Sequence, residues 1–403
     1  MKRYVSIALI VLTLLALCAV GTGYFLLSQQ SAASAVPAVA APSPVGHVYF
    51  LSSEQLSENS SQGINDEVQV ELTHVASPAA QKSYYAWLLG DKSQEETRTL
   101  FLGALPVNGG TVHLFYPGDK QHTNLLEIMS RFLVTEENAG MTTPISPSLD
   151  VTTWCYYAEF SQTLPAPSAT NSSTSTPRYS FLDHLRHLQA SEPLLNTMQL
   201  PGGLNNWFYR NTGKILEWTS STRESWEEAH DMNFIRRQMI RILTYLDGTS
   251  FVQMDLPPNT SLNTEERLAR MGLLEMDGPN QNPPSYIDSI AVHLNGVIHT
   301  ANASPALTKS TAEIINALSN VRNWLSIMHQ DALQLVKMSN AQLSQPQALL
   351  LLNDMIENAN HAYVGQVDAA TGEMHEGVTW LHTHMQELAI LNVTPYKRAS
   401  QGV

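Results

Sequence analysis

A β-sandwich domain followed by an α-helical bundle domain, both behind one N-terminal transmembrane helix, is the multidomain β + α architecture that the sequence predicts. Three observations predict it. An uncharged apolar run opens the chain, residues 46–164 carry a hydrophobic period of two, and residues 178–396 carry a helical period.

Met1, Lys2 and Arg3 form a short charged tip, and residues 4–27 follow without a charged side chain. About 20 apolar residues in a helix cross the roughly 30 Å hydrocarbon core, so this run reads as a membrane anchor. Lys2 and Arg3 place the tip in the cytoplasm by the bias of positive charge, and the bulk of the chain outside. The localisation expected is the plasma membrane, single-pass, with most of the chain extracytoplasmic. A cleaved secretory signal is the competing reading, with Ala33-Ser34-Ala35 or Ala38-Val39-Ala40 as the cleavage site. A lipid-modified Cys18 is disfavoured by Leu17 before it. Residues 28–45, rich in Ala, Pro and Ser, read as a stalk.

From residue 46, Val68, Val70 and Leu72 alternate with Gln69 and Glu71, which puts the three apolar side chains on one sheet face. Further strands are expected at 47–51, 84–89, 99–105, 111–116, 132–135 and 154–160. Asn108-Gly109-Gly110 signals a hairpin, because glycine accepts positive φ. Seven short strands suggest a sandwich over 46–164, with Trp87 packed between its two sheets. Cys155 reads as a structural thiol.

Residues 165–177, with Ser-Ala-Thr-Asn-Ser-Ser-Thr-Ser-Thr inside, read as a Ser/Thr/Pro linker. Beyond it, Ile314, Leu318, Val321, Leu325, Met328, Ala332 and Leu335 form a stripe on a helix over 309–338. Phe234 to Leu246 and Ile287 to Ile298 mark two more helices. Ser344, Pro346 and Gln347 resemble a capping box ahead of a fourth, and a last helix is expected over 376–391. Together these make a bundle over 178–396, with 397–403 as a tail.

The strand region resembles the extracytoplasmic C-terminal domain of anti-sigma-K factors, over residues 46–150. The matching residues are Tyr85-Ala86-Trp87-Leu88, Leu102-Gly103-Ala104-Leu105, Gly109-Gly110, Leu114-Phe115-Tyr116 and Val134-Thr135-Glu136-Glu137-Asn138, with Pro144 and Pro147 after them. The resemblance implies a sensing module outside the cytoplasm. A three-residue tip is too small for the roughly 800 Å² that each partner buries in a usual interface, so direct sigma-factor sequestration is not expected. The helical region resembles uncharacterised exported proteins of bacteria, in Leu200-Pro201-Gly202-Gly203-Leu204 and Val292-His293-Leu294-Asn295-Gly296.

Net charge is −14, which disfavours nucleic acid as a partner. No phosphate loop, dinucleotide fingerprint, nucleophile elbow or His-Glu-x-x-His is present, so no catalytic residue and no cofactor are expected. The metal-ligand candidates among the 14 histidines are His184, His187, His375 and His382. His184 and His187 lie within one or two turns of a helix, and His375 and His382 are spaced as two turns of the last one. The plainer expectation is that all four are hydrogen-bonded or solvated. Trp207, Phe208 and Trp218 are expected between helices as a satellite core, and Arg236, Arg237 and Arg241 on a solvated face. The function expected is a membrane-anchored extracytoplasmic binding or sensing protein with a protein partner and no catalysis. A regulator acting through a membrane partner and a metal-binding or enzymatic bundle are the alternatives.

Overall fold

A computed structural model describes residues 43–55, 61–92, 98–142, 146–165, 178–262, 264–278, 281–300 and 303–397. All but Ser43 belong to one compact unit that starts at Pro44.

The seven expected strands are present: β1 (Gly46–Leu51), β2 (Glu67–Leu72), β3 (Lys82–Leu89), β4 (Thr99–Leu105), β5 (Val112–Tyr116), β6 (Arg131–Asn138) and β7 (Trp154–Glu159). In β2 the side chains of Val68, Val70 and Leu72 are buried and those between them are half-buried, as the alternation requires. A short helix α1 (Leu125–Ile128) precedes β6. The helices that follow are α2 (Phe181–Gln189), α3 (Pro193–Thr197), α4 (Leu204–Glu224), α5 (Met232–Asp247), α6 (Glu266–Ala269), α7 (Tyr286–Ile298), α8 (Pro305–Lys337), α9 (Asn340–Leu343) and α10 (Pro346–Val364). A two-stranded ribbon of β8 (Gly365–Val367) and β9 (Met374–Glu376) leads to α11 (Val378–Gln386), and β10 (Ile390–Pro395) follows.

The strands do not form a sandwich. They make one eight-stranded antiparallel sheet in the order β4-β3-β6-β7-β10-β1-β2-β5. Its edge strands β4 and β5 lie beside each other, with the Leu114 side chain against Gly103, so the sheet is a nearly closed barrel. The correction has a definite cause. The seven N-terminal strands fall into two hydrogen-bonded groups, β4-β3-β6-β7 and β1-β2-β5, which on their own would be two sheets. β10 joins them: Leu391 stands opposite Val48 in β1, and Thr394 opposite Tyr157 in β7. The last helix was expected to run to Leu391. It stops at Gln386 because residues 390–393 alternate half-buried Ile390, buried Leu391, exposed Asn392 and buried Val393, a strand pattern.

Trp87 is also placed differently. The inward face of the sheet carries Val48, Val70, Ala86, Leu88, Phe132 and Val134 in a continuous core with the helices. Trp87 points the other way, into a second cluster with Tyr85, Leu89 and Leu133, covered by Met141, Trp154 and Tyr157. The loop after β6 is held over this outer face, where Tyr85 Oη accepts from the Met141 N–H at 3.1 Å and donates to the Asn138 carbonyl at 3.0 Å.

Among the described residues no helix is long and apolar enough to cross a membrane. That finding stands against the single-pass membrane localisation and the transmembrane character expected above, which are not carried further. The expected span, residues 4–27, and most of the stalk and the 165–177 linker lie outside the described residues.

Smaller differences are local. The capping box is formed by Ser339 and Gln342 at α9, while α10 begins at Pro346 behind Gln345 without a side-chain cap. Trp207, Phe208 and Trp218 lie within α4, the first two fully buried. Arg236 donates to the Val336 and Met338 carbonyls at 2.7 and 2.5 Å, which satisfies the C-terminus of α8. The first residue ahead of α4, Gly203, abuts the Leu188 and Gln189 backbone so closely that no Cβ fits. The start of α4 is thereby pressed onto the end of α2.

Candidate metal centre

α2 opens with a capping box, in which Ser180 and Asp183 exchange hydrogen bonds with each other's backbone. This fixes the helix register and turns His184 and His187, three residues apart, toward the same side. Both are buried. Two residues past the end of α2 the chain turns back, with Ala190 and Ser191 N–H groups both donating to the Arg186 carbonyl. The turn delivers Glu192 as the N-cap of α3. Its Oε1 accepts from the Leu194 N–H at 3.3 Å. Oε2 is left over, and it points back at the histidines.

The third element is α7, which packs on α2 and supplies His293. Glu192 Oε2 lies 3.4 Å from His187 Nδ1 and 3.6 Å from His293 Nε2. The three ligand atoms all fall within 4.8 Å of one another. Ligand atoms about 2.1 Å from a tetrahedral metal stand about 3.4 Å apart, so the two shorter edges match such a centre. Among the described residues, neither His187 Nδ1 nor Glu192 Oε2 has a hydrogen-bond partner, although both atoms are buried. Buried polar atoms without partners are uncommon, and each costs about 1–3 kcal/mol.

The electrostatics follow from burial. Desolvation pushes the His187 pKa down to about 4 and that of His293 down to about 3, with neighbouring imidazoles adding to it for both. It lowers His184 and raises Glu192 as well. The imidazoles are therefore neutral at pH 7, which is the form that binds a metal.

His184 has a different position from the one its spacing suggested. Its Nδ1 is 3.0 Å from Nδ1 of His293, on the side of that ring opposite Nε2. Were His293 Nε2 to bind a metal, the proton would sit on His293 Nδ1 and be donated to His184. Such a bond is the kind of outer contact that would orient a ligating imidazole. The Tyr179 ring completes the wall, with centroids 4.6, 5.5 and 5.7 Å from His187, His293 and His184.

The other two histidine candidates lie elsewhere. His375 is on β9, paired with Gln366, and Gly377 separates that strand from α11, so the spacing to His382 is not helical. His382 is buried with both ring nitrogens engaged: Gln386 Nε2 at 3.0 Å and Asn205 Oδ1 at 3.3 Å. Its ring stacks on Tyr209 at 4.4 Å. This is a hydrogen-bonded core histidine, part of a polar seam in which Gln189 donates to the Met385 carbonyl at 2.5 Å and accepts from Asn65 at 2.9 Å.

A pH effect follows. Burial holds the His382 pKa at about 4, below the ordinary value of about 6.5, so the folded protein excludes a proton that the unfolded chain takes up. The stabilisation is present above pH 6.5 and is lost as the pH falls toward 4, to the extent of about 3 kcal/mol at most. Urea unfolding at pH 7.0 and 4.5 should show a smaller acid loss for His382→Gln than for the parent chain.

Glu192 and His293 were not found by sequence reasoning. Glu192 is five residues from His187 and outside the helix, and His293 is 109 residues from its neighbour His184. The pair Glu192-Pro193, a helix-start signal just behind the two histidines, was the local hint.

No family model matches the chain, and no curated protein or solved structure does either. No family therefore supports the anti-sigma assignment of residues 46–150, which goes no further here.

Proposed function

We propose that this is a metal-dependent binding or sensing protein that holds a divalent transition ion of zinc type through His187, Glu192 and His293. The observation that carries the reading is the convergence of these three ligand atoms, two of them buried without a hydrogen-bond partner among the described residues. Two imidazoles and one carboxylate suit zinc, and the spacing suits its tetrahedral preference. A bound ion would tie α2, α3 and α7 together at one point. A broad cleft nearby is lined by Ser180, Asp183, Arg186 and Trp380, and by none of the three ligands.

The test is a competition titration of the metal-stripped full chain with Zn²⁺ against a chromophoric chelator. One tight equivalent is expected, and His187→Ala, His293→Ala or Glu192→Gln should each weaken it at least about tenfold. At a free Zn²⁺ concentration 100 times Kd, the parent chain should gain about 2.7 kcal/mol against unfolding. Equal binding by the parent and the His187→Ala/His293→Ala variant would overturn the proposal.

A further inference from the structure

A second group of metal-ligating side chains lies away from this centre, where α5 ends. Asp247 is the last residue of α5, and Gly248 turns the chain away with φ 84°. A single 3-10 turn, Val252–Met254, brings Asp255 back alongside. His329 comes from the middle of α8, which packs on α5.

Asp247 is fully buried, and among the described residues no aligned hydrogen bond reaches either of its carboxylate oxygens, although His329 stands beside one of them as an ion-pair partner. That is the unusual fact. A buried carboxylate is costly unless it is paired and hydrogen-bonded, and the pairing with His329 at Oδ1 leaves Oδ2 unmet. His329 Nε2 stands 2.9 Å from Asp247 Oδ1, without the alignment of a hydrogen bond, and 3.2 Å from Asp255 Oδ2, which it does bond. One ligand atom from each residue falls within a 4.8 Å group.

We infer that Asp247, Asp255 and His329 form a second divalent-cation site, harder than the first and of manganese class. The spacing supports this class. Ligands about 2.1 Å from an octahedral ion are about 3.0 Å apart, against about 3.4 Å around a tetrahedral one. The edges of 2.9 and 3.2 Å here lie nearer the octahedral value, whereas those of 3.4 and 3.6 Å at the first centre do not. Donor chemistry points the same way. Two carboxylates and one imidazole favour an ion that takes oxygen ligands and also accepts nitrogen, which suits Mn²⁺ better than Ca²⁺. Three protein ligands leave three octahedral positions for water. Asp255 is half-exposed, which gives those waters a way in.

A proton is the competing occupant. Burial raises the Asp247 pKa to about 6, and the two carboxylates outweigh burial to raise that of His329. A protonated His329 between the two acids would be a plain buried ion pair. Only the cation reading predicts uptake of Mn²⁺.

The inference does not rest on the zinc centre, and its test removes that centre. The full chain carrying His187→Ala and His293→Ala is stripped of metal and added to Mn²⁺, and the six-line electron paramagnetic resonance signal of free Mn²⁺ is followed. The signal should fall by one equivalent, and Asp255→Asn in the same background should weaken binding at least tenfold. Asp247→Asn should do the same. Asp255→Asn, at a half-exposed loop position, keeps the test decisive if the buried variant does not fold. No loss of signal with Mn²⁺ up to millimolar, or undiminished binding by Asp255→Asn, would overturn the site.

Discussion

Trp87→Ala should cost the fold about 3–5 kcal/mol, the range for removing a large aromatic from a packed interior. The size of the effect depends on which face of the barrel the ring occupies. On an open outer face, loss of the ring would cost under about 1 kcal/mol, as at most surface positions. Trp87 is on the outer face but is fully buried, with its centroid 5.0 Å from that of Phe101 and its Nε1 donating to Thr135 Oγ1 at 3.0 Å. Met141 from the loop after β6 and Trp154 from the start of β7 make the difference, since both pack over the cluster that holds the ring. Trp87→Phe should recover most of the packing and lose only the hydrogen bond, about 1 kcal/mol. Urea unfolding of the three chains checks the order, and a loss below 1 kcal/mol for Trp87→Ala would show that the lid does not exclude water. Domains of this kind are stable by about 5–15 kcal/mol, so the alanine variant removes a large part of the margin.

Gly296→Ala should weaken Zn²⁺ binding at the proposed centre without touching a ligand. In a helix this exchange ordinarily stabilises by about 1 kcal/mol, because glycine is the more flexible residue. Here an added Cβ would overlap the His184 imidazole, far inside van der Waals contact. The clash should dominate, at about 1–3 kcal/mol of overpacking. Displaced, His184 no longer accepts the proton of His293 Nδ1, and loss of such an outer partner typically lowers metal affinity by about 10–100-fold. Two readouts are needed, thermal unfolding of the metal-free chain and the Zn²⁺ competition titration. Unchanged affinity in a folded Gly296→Ala chain would mean that His184 does not position His293.

Much of the secondary structure was legible in the residues. β2 reads Glu-Val-Gln-Val-Glu-Leu, and nothing but a strand with one wet face uses that alternation. The stripe from Ile314 to Leu335 likewise required a helix, and α8 carries it. The sheet's closure was not legible, because it depends on which strands pair, and pairing leaves little trace in periodicity. β10 was hidden by its setting as well: Ile390 to Pro395 follow a helix directly, and the apolar residues of the two merge into one run. At the candidate site, the spacing of His184 and His187 was visible, but spacing alone assigned them the same role. The structure separates them, since His187 presents Nδ1 to Glu192 while His184 faces the back of His293. His382 shows the opposite limit. Its neighbours Asn205 and Gln386 are ordinary polar residues, and only their convergence makes it a core histidine.

The placement of β10 also bears on how the chain comes to be folded. His47 and Asn392 touch across β1 and β10, 345 residues apart. Contacts this remote close very long loops before they return any stability, and barrels that depend on them fold slowly. During synthesis, β1 and β7 would stand with open edges while more than 200 further residues emerge, and open edges invite pairing with other chains. The final strand thus acts as a latch on the order of events. Helices α2 to α10 emerge well before it, but the barrel is sealed only when residues 390–395 arrive between its two halves.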